Sequence, residues 1–220
     1  MRKRILATAL LISITLPTQA ASIDVKNDVI HISGTIQPND FLVLEVETDG
    51  LDKPMVVSLH SNGGSFVPAI RIGALIRQKG WSTHVEGRCM SACAIIWLSG
   101  SRKSMSTAAQ IGFHQVYNPE TGQVSGRSMN VLRSYLVKLG YPNEMIEFAM
   151  QAGPTDMSYF TEGDSKRLGV QVIVGAMAEP SKTATEDGRP LATNSLAPVR
   201  SHVPAQSLDD KLQTWRPRRD

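Results

Sequence analysis

Cysteine is nearly absent from this 220-residue chain: Cys89 and Cys93 are the whole complement, and aromatic residues supply only 5% of the composition. Two thiols cannot make a structural zinc site, and none of the five histidines stands at a metal-ligand spacing from them. No metal or cofactor is therefore expected. Four positions apart, the two cysteines fall one helical turn from each other, roughly 6 Å between Cα atoms, within reach of a disulfide. In an oxidising compartment a close pair of this kind reads as a bridge. With so few rings, small and aliphatic side chains must build the core.

Long apolar runs are also missing. Only residues 5–16 come close, and they are too few to span a bilayer comfortably. Arg2-Lys3-Arg4 precede them and Pro17-Thr18-Gln19-Ala20 follow, which reads as a secretory signal peptide cut after Ala20. An uncleaved membrane anchor is the alternative, and the one membrane contact expected. Residues 1–20 hold three basic and no acidic groups, so their removal takes the formal charge from +3 to 0. A concentrated basic face is then lacking, and with it the case for a nucleic-acid partner. The expected location is a bacterial periplasm.

Residues 21–178 are enough for one domain with a real core. Residues 179–220 change to Pro, Ser, Thr, Ala and scattered charge, which reads as a disordered tail. Between them strand and helix patterns alternate. "DVIHISGTI" (28–36) is expected as a strand, a helix runs from position 39 or 40 to near 50, and "PMVVSLH" is a buried strand. A helix covers 65–79, "WSTHVEG" is a short strand, and 91–99 is a helix. "AQIGFHQV" (109–116) is a strand. Residues 127–151 form two helices broken at "GYPN", a short helix follows Thr161 to Leu168, and "VQVIVG" closes the sheet. The fold class is α/β.

Chemistry concentrates at three separated places: Gly63-Gly64 after a strand, Ser91 at a helix start, and His114 at a strand end. A serine nucleophile needs a base and two N–H groups aimed at the oxyanion. A helix start offers unpaired N–H groups and a favourable dipole, and glycines after a strand permit close backbone approach. His60 and His84 read as structural or surface groups, Lys103 and Lys138 as solvated lysines, and Trp97 as core.

In order and spacing these segments resemble the Clp-type serine peptidases, of the Clp protease/crotonase-like fold with repeated β-β-α units. The likeness covers roughly residues 54–174. It rests on the turn Ser61-Asn62-Gly63-Gly64, on Ser91 in "CMSACA" and on His114 in "GFHQ". More particularly, the chain is similar to exported Clp-like proteins of Gram-negative bacteria with a cysteine on either side of the serine. The resemblance implies that Ser91 is the nucleophile, His114 the base, and the Gly64 and Ala92 N–H groups the oxyanion hole. Asp156 matches the acid that orients the histidine; Asp164 is its competitor, within an expected surface helix. The turn carries Asn62 where those peptidases usually carry proline. A homo-oligomer acting on peptides or unfolded polypeptides is implied, with no ATPase partner, since a periplasm lacks ATP. Three other readings stay open: a non-catalytic binding or assembly protein of the same fold, a serine–lysine peptidase, and a crotonase-type acyl-CoA enzyme.

Overall fold

Val56, Val57 and Leu59 are buried on both faces of β3 (Val56–Ser61), as strands of a parallel sheet covered on two sides must be. The structure, a computed structural model, describes residues 20–177. The expected tail and, apart from Ala20, the expected signal peptide lie outside the described residues. β1 (Ser22–Lys26) and β2 (Val29–Ser33) form an antiparallel hairpin that was not legible as two strands in the sequence. β2 then runs parallel to β3, and β3 parallel to β4 (Ser82–Met90).

β4 is longer than the short strand expected, and its length forks the sheet. Thr83–Val85 pair with β5 (Lys103–Met105), whereas Arg88–Met90 pair with β6 (Gln110–Phe113). β7 (Ser158–Phe160) adds antiparallel to β6, and β8 (Ile173–Val174) parallel to β5. Eight strands thus form one sheet. β5 and β7 span three residues each, too few for periodicity to register, whereas β8 lies within the expected closing strand "VQVIVG".

Among the described residues there are six helices: α1 (Asp40–Glu47), α2 (Phe66–Gln78), α3 (Ala92–Leu98), α4 (Gly126–Lys138), α5 (Asn143–Gln151) and α6 (Asp164–Arg167). Pro68 sits in the first turn of α2, where its missing N–H would have no partner anyway. Every residue of α3 is buried, so this helix is the spine of the core rather than a surface element. α2 packs closely beside it. A Cβ at Gly73 would fall 2.4 Å from Ser99 Oγ and 2.6 Å from the Tyr135 hydroxyl, so a larger residue there would have to displace that hydroxyl pair. Trp97 meets Phe160 edge to face, with centroids 5.2 Å apart, and its indole N–H donates to the Ser104 carbonyl.

Lys103 is not solvated as expected. It is 9% exposed, and its ammonium donates to the Gly100 carbonyl at 3.2 Å and faces the Tyr141 ring. Burial, then the nearby Arg77 charge, lower its pKa to about 8. α6 is also shorter than expected. Asp164, rather than Thr161, organises its start, accepting from the Thr161 N–H at 2.9 Å and hydroxyl at 2.8 Å and pairing with Arg167.

Candidate active site

Three parallel strands deliver the site. β3, β4 and β6 end side by side, and the chain leaves them through the glycine turn, Ser91 and His114 respectively. Open α/β sheets offer their ligand crevice at such carboxyl ends.

Ser91 joins β4 to α3 with φ 56° and ψ −122°, one of two non-glycine residues at positive φ among those described. Its N–H donates to the Gly112 carbonyl at 2.8 Å, and its own carbonyl accepts from Ala94 at 3.0 Å. A backbone held on both sides in a disfavoured region marks a place where structure is spent on presenting one side chain. The disulfide adds a third restraint. Cys89 and Cys93 are bridged, with Cα atoms 5.2 Å apart. The two cysteines do not share a helix, as the one-turn geometry supposed, because the helix begins only at Ala92. The bridge instead ties the end of β4 to the first turn of α3, with Ser91 between them. Both cysteines are fully buried.

The glycine turn is shaped by its neighbours. Ser61 Oγ accepts the Gly63 N–H at 3.0 Å, closing the turn locally. Residues 35–37 clamp it from outside: Ile36 N–H donates to the Gly63 carbonyl at 2.9 Å and Ser65 N–H to the Ile36 carbonyl at 2.8 Å. In this parallel bridge Ile36 bonds the residues flanking Gly64, so the Gly64 N–H points away from Ile36. Gly64 has φ 138°, and a Cβ on it would fall 2.2 Å from the Ile36 carbonyl oxygen. Only glycine can occupy the position.

Ser91, Ala92, Gly64 and His114 line one cleft of about 440 Å³, with Ile36, Phe66, Ile95, Val116, Tyr117 and Pro119 as its apolar wall. The His114 ring is half-buried beside Tyr117, centroids 5.4 Å apart. Its Nδ1 lies 2.7 Å from the Gln115 carbonyl oxygen. A carbonyl can only accept, so Nδ1 carries the hydrogen, and in the neutral ring Nε2 is then the acceptor. No hydrogen bond joins Ser91 Oγ to His114 in this conformation.

Asp156 is exposed and makes no side-chain hydrogen bond to His114. Asp164 is committed to Thr161 and Arg167. Neither carboxylate is the partner of the imidazole here; the Gln115 carbonyl is. A backbone acceptor carries no signature in a sequence, although "GFHQ" marks the place. The clamp at residues 35–37 was likewise not legible, because Ile36 acts through its main chain. Lys103 lies beyond the far end of α3, about 10 Å of helix from Ser91, and Lys138 is exposed at the end of α4. His84 is buried between Ser104 Oγ, 2.9 Å away, and Glu86, 3.0 Å away.

Among the described residues no group of three or more His, Cys, Asp and Glu side chains could hold a metal ion. No described helix is long and apolar enough to cross a membrane.

No protein-family model matches the sequence, and no curated protein sequence matches it. Solved structures do match. A variant of ClpP1 from Listeria monocytogenes superposes with a TM-score of 0.53 at 15% identity, over 67% of this chain and 92% of that one. The catalytic domain of the ClpP protease from Plasmodium falciparum gives 0.52 at 19% identity, over 66% and 84%. A variant of 1510-N, a membrane-bound stomatin-specific protease, gives 0.51 at 17%, over 69% and 79%. The extent of these superpositions shows that the chain has the α/β fold of the ClpP-type protease domains.

Proposed function

We propose that the protein is a serine peptidase in which Ser91 is the nucleophile and His114 its base. The observation that carries this reading is the convergence, in one cleft, of a serine at positive φ, a histidine whose Nδ1 is bonded to a carbonyl, and the Gly64 and Ala92 main chain. Ser91 Oγ attacks the scissile carbonyl carbon while His114 Nε2 takes the hydroxyl proton. The carbonyl oxygen, now negative, receives the Gly64 and Ala92 N–H groups, the second favoured by the start of α3. The C–N bond breaks as His114 passes its proton to the leaving amine. Water, deprotonated by His114, then attacks the acyl-serine, and the proton returns to Ser91 as the acid departs.

The Gln115 carbonyl fixes the tautomer that makes His114 a base. Asp156 holds the third position by resemblance alone. Lys103 is a poor substitute base, being buried at the other end of α3.

Export to a periplasm is supported by the leader-like first twenty residues and by the use of both cysteines in one bridge. The substrates proposed are peptides or already unfolded polypeptides, cleaved without a partner ATPase. A homo-oligomer is proposed as well, for which Leu42, Val43 and Val46 on α1 offer an exposed apolar surface. The missing Ser91–His114 hydrogen bond favours a second reading, a binding protein of the same fold. Such contacts can also tighten only when substrate is bound.

Fluorophosphonate labelling of the purified protein separates the two. Label on Ser91, located by mass spectrometry and lost in both Ser91→Ala and His114→Ala, is the expected result. A folded, oxidised protein that takes no label in the presence or absence of peptide would overturn the peptidase reading.

A further inference from the structure

A second concavity, of about 390 Å³, is lined by His60, Asn62, Gly87, Arg88, Ala108 and Gln110. An irregularity in the sheet creates it. Leu59 pairs with Val85 and Ser61 with Cys89, so residues 86–88 stand opposite His60 alone and β4 bulges. Gly87 makes room for the imidazole, since a Cβ there would fall 3.2 Å from His60 Nδ1. On the other side Arg88 pairs in register with Gln110, which sets their side chains as neighbours.

The lining is chemically one-sided. It holds one guanidinium, one imidazole and two amides, and no carboxylate. None of these four polar side chains makes a hydrogen bond or ion pair with another described residue. Glu86, two residues before Arg88, is engaged by His84 at 3.0 Å and does not line the concavity. A guanidinium fork with unspent donors, backed by amides, matches the geometry of a carboxylate.

The concavity is joined to the catalytic cleft. Asn62 lines both. Arg88 precedes Ser91 by three residues on β4, and His60 precedes Gly64 by four at the end of β3. At about 3.3 Å per extended residue, Arg88 and Ser91 stand on the order of 10 Å apart, the reach of about three residues of an extended peptide.

We infer that this concavity is a subsite for a carboxylate, so that the protein selects polypeptides with an acidic group near the bond presented to Ser91. The selection of a cleavage site rests on the peptidase reading; the binding of the carboxylate does not. The carboxylate can come from an acidic side chain or from a chain end, and the two are separable by experiment.

The full-length Ser91→Ala protein is titrated with three fluorescein-labelled decapeptides on one alanine–glycine host: central Glu with an amidated end, central Gln with an amidated end, and central Gln with a free carboxylate. The expected result is that one acidic peptide binds on the order of tenfold tighter than the amidated Gln peptide, a preference that weakens with salt. Preference for Glu assigns a side chain, and preference for the free end assigns the terminus. Arg88→Gln on the same background should abolish the preference and Arg88→Glu should reverse it, with circular dichroism confirming the fold of each. Equal binding of the three peptides, or a preference that survives Arg88→Gln, overturns the inference. A carboxylate preference in a protein whose Ser91 takes no fluorophosphonate would sink the peptidase reading and leave the subsite standing.

Discussion

Gly63 lies directly against Ser91: a Cβ built on the glycine would fall 2.7 Å from Ser91 Cβ and 2.8 Å from the Met90 carbonyl oxygen. The turn after β3 and the turn after β4 are thus packed main chain to main chain, and each limits the shape of the other. Gly63 also has φ 99°, where an L side chain is strained whatever the space.

Gly63→Ala should therefore cost roughly 2–4 kcal/mol in stability, from backbone strain and overpacking together. It should also suppress fluorophosphonate labelling of Ser91 in the fraction that folds. Gly122→Ala is the control, at φ 69° with nothing within 4 Å. It should cost about 1–2 kcal/mol and leave labelling intact. Urea denaturation with parallel labelling measures both, and equal behaviour of the two variants would contradict the packing argument.

The bridge around Ser91 should matter more for reactivity than for stability. Closing so short a loop contributes about 2 kcal/mol at most in the chain-entropy account. Cys89→Ala/Cys93→Ala should thus remain folded, yet label at Ser91 at least tenfold more slowly. Because both cysteines are fully buried, dithiothreitol should not reduce the native protein within minutes. A double variant that labels as fast as wild type would reduce the bridge to a structural staple.

His114 is oriented by a main-chain carbonyl, which no side-chain substitution can remove. Asp156→Asn should accordingly lower the labelling rate less than tenfold, whereas His114→Ala should abolish it. A loss of about a thousandfold or more in Asp156→Asn would mean that the reactive conformation brings the carboxylate onto the imidazole.

Lys103 gives a pH dependence whose sign can be worked out. Its pKa is lowered to about 8 in the folded protein from 10.5. Between those values the unfolded chain binds a proton that the native one does not, so this residue makes stability rise with pH across the window. The full swing is roughly 3 kcal/mol, nearly complete only close to pH 10.5. Tyr135 and Tyr141, raised mainly by burial, oppose it by losing stability above about pH 10. The comparison belongs at pH 7.5 and 9.5, where Lys103→Met should remove the rise. A parallel pH profile in both proteins would show the ammonium to be better solvated than its burial implies.

How much of this was legible in the sequence differs by element. β3 announces itself by continuous burial, α2 by its apolar face, and the "SNGG", "CMSACA" and "GFHQ" segments by residue types that only special backbone or reactive chemistry requires. β5 and β7 were not legible, since three residues carry no period and exist as strands only because β4 and β6 offer them edges, whereas β8 falls within the expected closing strand "VQVIVG". Lys103 was misread for the same reason: nothing local says that a lysine after "GSR" will be covered by Tyr141.

The α/β alternation and the residue types placed at the three strand ends can be read from the amino-acid order, because they depend on local periodicity and on conformations open only to glycine. Tertiary structure alone decided that β4 forks the sheet, that Ile36 clamps the glycine turn, that the Gln115 carbonyl rather than a carboxylate holds His114, and that Arg88 and His60 share a concavity. Each of these is a main-chain contact or a meeting of residues far apart along the chain, and neither leaves a mark in the order of side chains.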